Sequence, residues 1–275
     1  MEEETDWTAS IQRELASMRK MGVFDVVPTL PAGQKVIGSM FVHTLKKGIR
    51  KSRLVALGNQ QLPDECDNYA PTINGNTLRL MLALGAQKGY ALESHDVASA
   101  FLNSPLKEDV YMSAPKAMGL RMGSILKVIR AIYGLRQASK AWHLLISAVL
   151  LEQGFVRSKI DECLFFRKVG SKVVFIGLHV DDILLLSNDE SEMKSVLDVL
   201  YGRFKMTGGA DPETYLGLQI KRDKDGITIH QQQYIESLLD DFGLMNCNPV
   251  STPWTERHSR DSQRRKRWTV VSCVV

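Results

Sequence analysis

No stretch of this 275-residue chain approaches the roughly 18–20 consecutive apolar residues that span a bilayer. The N-terminus, MEEETDW, is acidic where a secretory signal is basic and then apolar, so the expectation is an intracellular soluble protein with no membrane partner. Cysteine is sparse. Cys66, Cys163, Cys247 and Cys273 form no CxxC word or Cys/His cluster, which excludes a zinc module and a disulfide framework and reads as four free thiols. Net charge is also nearly absent outside one segment. ERHSRDSQRRKR holds six Arg and Lys against two acids, which accounts for the whole formal +4. A chain that is basic throughout, as many nucleic-acid binders are, is therefore not what the totals describe. There is no internal repeat and no βαβ rhythm, and 44% hydrophobic content suffices for one sizeable core or two small ones.

What is present is an alternation of helices and antiparallel hairpins, which predicts an α+β fold. TASIQRELASMRKMG places Ile11, Leu15 and Met18 on one helical face, with Thr5 or Asp6 as caps and Gly22 as a stop. VIGSMFVHTL and RLVALGN read as a hairpin around the basic turn Lys46, Lys47, Arg50, Lys51 and Arg53, a cluster that is either a solvated charged tip or a phosphate-binding one. NTLRLMLALGAQKG, ASKAWHLLISAVLLEQG, ESEMKSVLDVLYGRF and QQYIESLLDDFG are helical. ECLFFRK, KVVFIGLHV and TYLGLQIKRDKDGITIH are strand-like, the last turning at Asp225 and Gly226.

FIGLHVDDILLLS sets Asp181 beside Asp182 within an apolar run. Like charges at adjacent positions next to a core are costly unless a cation, donors or water offset them. Turn chemistry accounts for one aspartate, but a tight hairpin favours a glycine after it and none follows. A hard divalent cation accounts for both, since Mg²⁺ takes carboxylate oxygens and completes its shell with water and substrate phosphates. Asp96, in HDVASAFL, is the available third carboxylate, with helix N-capping ahead of Val97 as the competing role. No spacing argument links positions 96 and 181.

From about Trp7 to Pro253 a series of words appears in one order: RLVALGNQ, YAPT, DVASAFL, VYMSAP, AIYGLRQASKAW, GF with LFF after it, HVDDILL, FKM, YLGLQI and QQQYIESLLDDFGLMNCNPVSTP. In these words the chain resembles the reverse transcriptase domain of Ty1/copia-type retrotransposon polyproteins. The resemblance implies a right-hand polymerase fold with palm, fingers and an incomplete thumb. The core is residues 1–253: fingers roughly 1–90 and 115–150, palm roughly 90–115 and 155–225, the start of a thumb at 226–253, then an atypical basic tail at 254–275. It implies an RNA-directed DNA polymerase adding deoxynucleotides to a DNA primer on an RNA or DNA template. Two Mg²⁺ ions, or Mn²⁺, would activate the primer hydroxyl and stabilise the leaving pyrophosphate.

Asp96, Asp181 and Asp182 match the family's catalytic and metal-binding aspartates, the first two as main ligands and Asp182 as a supporting charge. Phe101 matches the aromatic under the incoming sugar that excludes a 2′-hydroxyl. Lys51 and Arg53 match basic residues that grip the triphosphate. Tyr133, Gly134 and Gln137 match the segment backing nucleotide and template, and Trp142 in the same word reads as core.

Three departures accompany the match. His179 stands where the family has Tyr beside the aspartate pair, the turn between HTLKKG and IRKSR is several residues shorter than in relatives, and the pattern ends near Pro253. They keep open an alternative, a degenerate and inactive retrotransposon remnant with the palm fold and some nucleic-acid binding. RRKR can also be read as a nuclear-import patch, cytoplasmic (virus-like particle) and nuclear locations are not resolved, and the oligomeric state is not legible.

Overall fold

The computed structural model describes residues 7–46, 48–61, 68–224 and 226–248, with the side chain of Lys46 excepted. Two compact units divide between Asp211 and Pro212.

The first unit opens with helix α1 (Thr8–Lys20), which buries Leu15 and Met18. The proposed caps Thr5 and Asp6 lie outside the described residues. Strands β1 (Phe24–Val27), β2 (Val36–Ile37), β6 (Pro105–Ser113) and β7 (Ile125–Arg130) form one sheet in the order β1-β7-β6-β2, its β2–β6 pair parallel. β3 (Ser39–Lys46) and β4 (Ile49–Ala56) form the expected hairpin. Its register closes at Lys46 opposite Ile49, so only two residues connect the strands. Leu15 and Met18, Leu54 and Ala56, Met112, and Leu126 with Val128 share one core.

The other large sheet carries the aspartates. β5 (Ala91–Val97), β8 (Val156–Arg157), β9 (Leu164–Val169), β10 (Lys172–His179), β11 (Asp182–Ser187) and β12 (Met206–Ala210) run in the order β12-β5-β11-β10-β9-β8, every pair antiparallel. Helices α2 (Gly75–Lys88) and α4 (Glu190–Arg203) pack on it, and Ile183, Leu184, Leu185 and Leu186 are all fully buried. Cover on both faces is why this strand reads as a continuous apolar run and not as an alternation. Close packing also selects Gly177, where a Cβ would come within 2.6 Å of Ile73 on α2's lead-in and 3.2 Å of Met81 on the helix. α2 begins with Asn74 accepting the Asn76 N–H and ends at left-handed Gly89, as a capped helix should. Helix α3 (Ala138–Glu152) turns Trp142, Ile146, Val149 and Leu150 inward.

The second unit contains the three-stranded sheet β13 (Thr214–Tyr215), β14 (Leu218–Asp223) and β15 (Gly226–His230), followed by α5 (Gln232–Asp241). The hairpin's Asp225 falls outside the described residues.

Two expectations change. Asp96 does not cap a helix: it lies inside β5, and the short 3₁₀ turn Ala100–Asn103 starts after Ser99. The cysteines are not uniformly free. Cys163 is a buried thiol, its pKa pushed up to about 12 by burial first and then by Asp161 and Glu162, whereas Cys247 is disulfide-bonded. Scattered spacing carries no information on which thiols the fold brings together. Among the described residues no helix is long and apolar enough to cross a membrane.

Candidate active site

Antiparallel pairing supplies the link that spacing could not. β11 pairs with β5 so that Asp182 lies directly opposite Asp96, and β10 pairs with β11 so that His179 lies opposite Asp182. Thr207 of β12 lies opposite Asp96 on the far side. Residues directly opposite each other share a face, with Cβ atoms about 4.5–5.5 Å apart. His179, Asp182, Asp96 and Thr207 therefore form a row across four strands. Asp181 sits in the turn before β11, and its carbonyl accepts the Val97 N–H at 2.9 Å, which ties the turn to the residue after Asp96.

The turn is held from behind. Val180 has a positive φ of 54°, an uncommon conformation for a β-branched residue. Its carbonyl accepts the Trp142 Nε1–H at 2.6 Å, and the Trp142 ring, 1% exposed, packs edge-on to Phe204 with centroids 5.2 Å apart. On the reverse face of β5, buried His95 is fixed at both ring nitrogens, by the Tyr201 hydroxyl at 3.1 Å and Glu93 at 3.0 Å. Trp142, expected only to fill core, is thus also a support of the aspartate turn.

A second cluster gathers Arg53, Phe101 and Tyr133. The Arg53 guanidinium stands 5.0 Å from the Tyr133 ring centroid, and the Phe101 ring meets Tyr133 edge-to-face at 4.9 Å. Burial, the largest influence, raises the Tyr133 hydroxyl pKa; Arg53 pulls it down, and Asp181 pushes it up. The influence of Asp181 places both clusters in one electrostatic neighbourhood. Tyr133 is positioned by backbone: its carbonyl accepts the Ala56 N–H at 2.8 Å. Gly134 follows at φ +88°, where a Cβ would come within 2.1 Å of the Ala56 carbonyl, so glycine is required by conformation and by contact.

Lys51 and Arg53 lie two apart on β4, Lys51 exposed and Arg53 half-buried. Gln137 is buried and its side-chain oxygen accepts from Gln61 at 3.0 Å, which braces the Tyr133 segment. The sequence reading missed Glu14. Its carboxylate accepts the Leu54 N–H at 3.3 Å and lies in the field of Arg53 and Lys51. The signal available was an acid inside the apolar stripe Ile11, Leu15 and Met18.

Burial is the largest influence on Glu14 and raises its pKa above the ordinary 4.5, against opposing pulls from the Leu54 N–H, Arg53 and Lys51. A carboxyl raised in the folded state costs nothing below its unfolded pKa and destabilises increasingly as pH rises through its folded pKa. Glu14→Gln, which keeps the acceptor for Leu54, is therefore expected to raise the Tm at pH 7, with the gain vanishing near about pH 4. Thermal melts at the two pH values check this; a variant less stable than the parent at pH 7 would contradict it.

Among the described residues, no group of three or more His, Cys, Asp or Glu side chains stands close enough together to hold a metal ion. The opposed Asp96 and Asp182 nonetheless suit Mg²⁺, which is commonly held by one or two carboxylates together with water and substrate phosphates. Like charges facing each other across a strand pair are otherwise destabilising.

Residues 21–256 match the family model described as reverse transcriptase (RNA-dependent DNA polymerase). The chain belongs to that family. Reverse transcriptase relatives of Ty1/copia type align over most of its length. The Pol polyprotein of transposon RE1 of Arabidopsis thaliana is 32% identical over 90% of the chain, and that of transposon TNT 1-94 of Nicotiana tabacum 28% over 89%. The Ty1-DR5 Gag-Pol polyprotein of Saccharomyces cerevisiae is 28% identical over 80%. The chain spans only 18%, 19% and 13% of the lengths of these polyproteins, respectively. Among solved structures, a foamy viral protease-reverse transcriptase in complex with double-stranded DNA matches 92% of the chain and 46% of its own, at TM-score 0.51 and 16% identity. The fold is thus polymerase-like.

Proposed function

We propose that the chain is an RNA-directed DNA polymerase core, adding deoxynucleotides to a primer 3′-hydroxyl on an RNA or DNA template. The observation that carries this is the β5–β11 register, which brings the carboxylates at positions 96 and 182 opposite each other and bonds the Asp181 turn to the same strand. In this reading the large sheet is the palm, α1 and the β3–β4 hairpin belong to the fingers, and residues 226–253 begin a thumb. Asp96 and Asp181 serve as main ligands for Mg²⁺ and Asp182 as a supporting charge. Two ions held there would lower the pKa of the primer hydroxyl and stabilise the departing pyrophosphate. Arg53 and Lys51 bind the triphosphate through charge-assisted hydrogen bonds, and Phe101 lies under the sugar. The double-stranded DNA held by the foamy viral relative supports a primer–template duplex as the ligand.

A second reading, an inactive remnant that keeps the fold, is favoured by His179 in the row of aspartates and by the two-residue connection in the β3–β4 hairpin. Primer extension on poly(rA)/oligo(dT) with dTTP and Mg²⁺ or Mn²⁺ separates the two: incorporation supports the polymerase, and none from folded protein supports the remnant.

Template binding is expected to be salt-dependent. Arg50 and Lys51 are exposed on β4, and phosphate contacts release counterions, so the log of the binding constant falls linearly with log salt concentration. Replacing both with Ala is expected to flatten the slope by about 2 at most. Anisotropy titrations on a primed template at several salt concentrations measure it; an affinity indifferent to salt would refute it.

A further inference from the structure

Phe101 can act as a sugar gate only if its ring stays where it is, because a ring free to swing admits the 2′-hydroxyl it is meant to exclude. Phe101 is only partly buried, and it lies in a short 3₁₀ turn entered through Ser99 at φ +54°. It packs against the core of the first unit, and its ring meets Tyr133 edge-to-face at 4.9 Å. Tyr133 is itself immobilised on three counts: its carbonyl is bonded to Ala56, Gly134 beside it is in close contact with the Ala56 backbone, and the Arg53 guanidinium stacks over its ring.

We propose that Tyr133 is a positioning residue for sugar selection: its ring fixes Phe101, and through Arg53 the same ring joins the triphosphate grip to the gate. This rests on the polymerase reading and adds to it a determinant of deoxyribose specificity. A triphosphate held by Arg53 engages the same cation that rests on Tyr133, so the grip and the gate share one residue. Glu14 belongs to the same group through charge, since it influences both Arg53 and Tyr133. The ring makes the contact with Phe101 and the hydroxyl accepts from Arg53, so a phenylalanine at this position should hold the gate with a weaker tie to Arg53, and an aliphatic side chain should not hold it.

The test is single-nucleotide incorporation opposite template A, with dUTP and UTP, which differ only at the 2′ position, compared as kcat/KM on the same primed template. Tyr133→Leu is expected to lower the dUTP/UTP preference about 3- to 10-fold, the size of one lost aromatic pair. Tyr133→Phe is expected to restore the parental preference. In a cycle with Phe101→Leu, the double variant is expected to be no less selective than Phe101→Leu alone, because both changes remove one contact. Tyr133→Met, which fills more of the vacated volume, replaces Tyr133→Leu if that variant melts below the assay temperature. An unchanged preference in the aliphatic variant, equal losses on both nucleotides, or additive effects in the cycle would overturn the proposal while the parent's dUTP incorporation leaves the polymerase reading intact. A folded parent inert on both nucleotides would overturn the polymerase reading, and this inference with it.

Discussion

Asp181→Asn is expected to reduce primer extension on the order of 10³-fold while leaving the melting temperature nearly unchanged. The separation follows from what Asp181 does for the fold. Its structural bond is made by its backbone carbonyl, which accepts from Val97, and asparagine keeps both that carbonyl and the side-chain volume. Only the charge is lost, and that charge is what would hold a cation able to offset the developing negative charge of phosphoryl transfer. Asp182→Asn is expected to cost less activity, in keeping with a supporting role. Extension rates and melts on the parent and both variants decide this. An Asp181→Asn protein retaining a tenth of parental activity would contradict the assignment.

Trp142→Ala is expected to be the most destabilising of the substitutions considered, by about 3–5 kcal/mol, because a fully buried indole is removed from between α3 and Phe204. Trp142→Phe refills most of that space but leaves the Val180 carbonyl without its donor, an expected loss of about 1–3 kcal/mol. The functional consequence distinguishes this tryptophan from an ordinary core residue. The bond terminates on the residue just before Asp181, whose φ is positive, so its loss is expected to loosen the aspartate turn specifically. In Trp142→Phe, kcat is expected to fall more than tenfold below the unfolding temperature with KM for dTTP changed little. A variant with reduced Tm but parental kcat would show that the indole serves packing alone.

Much of the fold was legible because its elements carry local signals. α1, α2, α3 and α4 stand where the helical words do, and the strand pairs β3–β4 and β14–β15 flank the basic and Asp-Gly words. The run after Asp182 was legible as apolar but not as a central strand buried on both faces. What no local pattern could convey was pairing. That Asp96 meets Asp182, that Trp142 reaches Val180, and that Glu14 accepts from Leu54 are contacts between residues separated by 86, 38 and 40 positions. Tertiary packing sets such contacts, and periodicity within one element does not encode them. The cluster of Arg53, Tyr133 and Phe101 was nameable from the resemblance, but the mutual stacking that suggests coupled action was not.

Crystals of the chain with a primed template, dTTP and Mn²⁺, measured at the manganese absorption edge, bear most directly on whether residues 96, 181 and 182 make one phosphoryl-transfer site. The expected result is an anomalous peak bonded to carboxylate oxygens of Asp96 and Asp181 and to the triphosphate. An ordered triphosphate with manganese bound away from all three aspartates would contradict it.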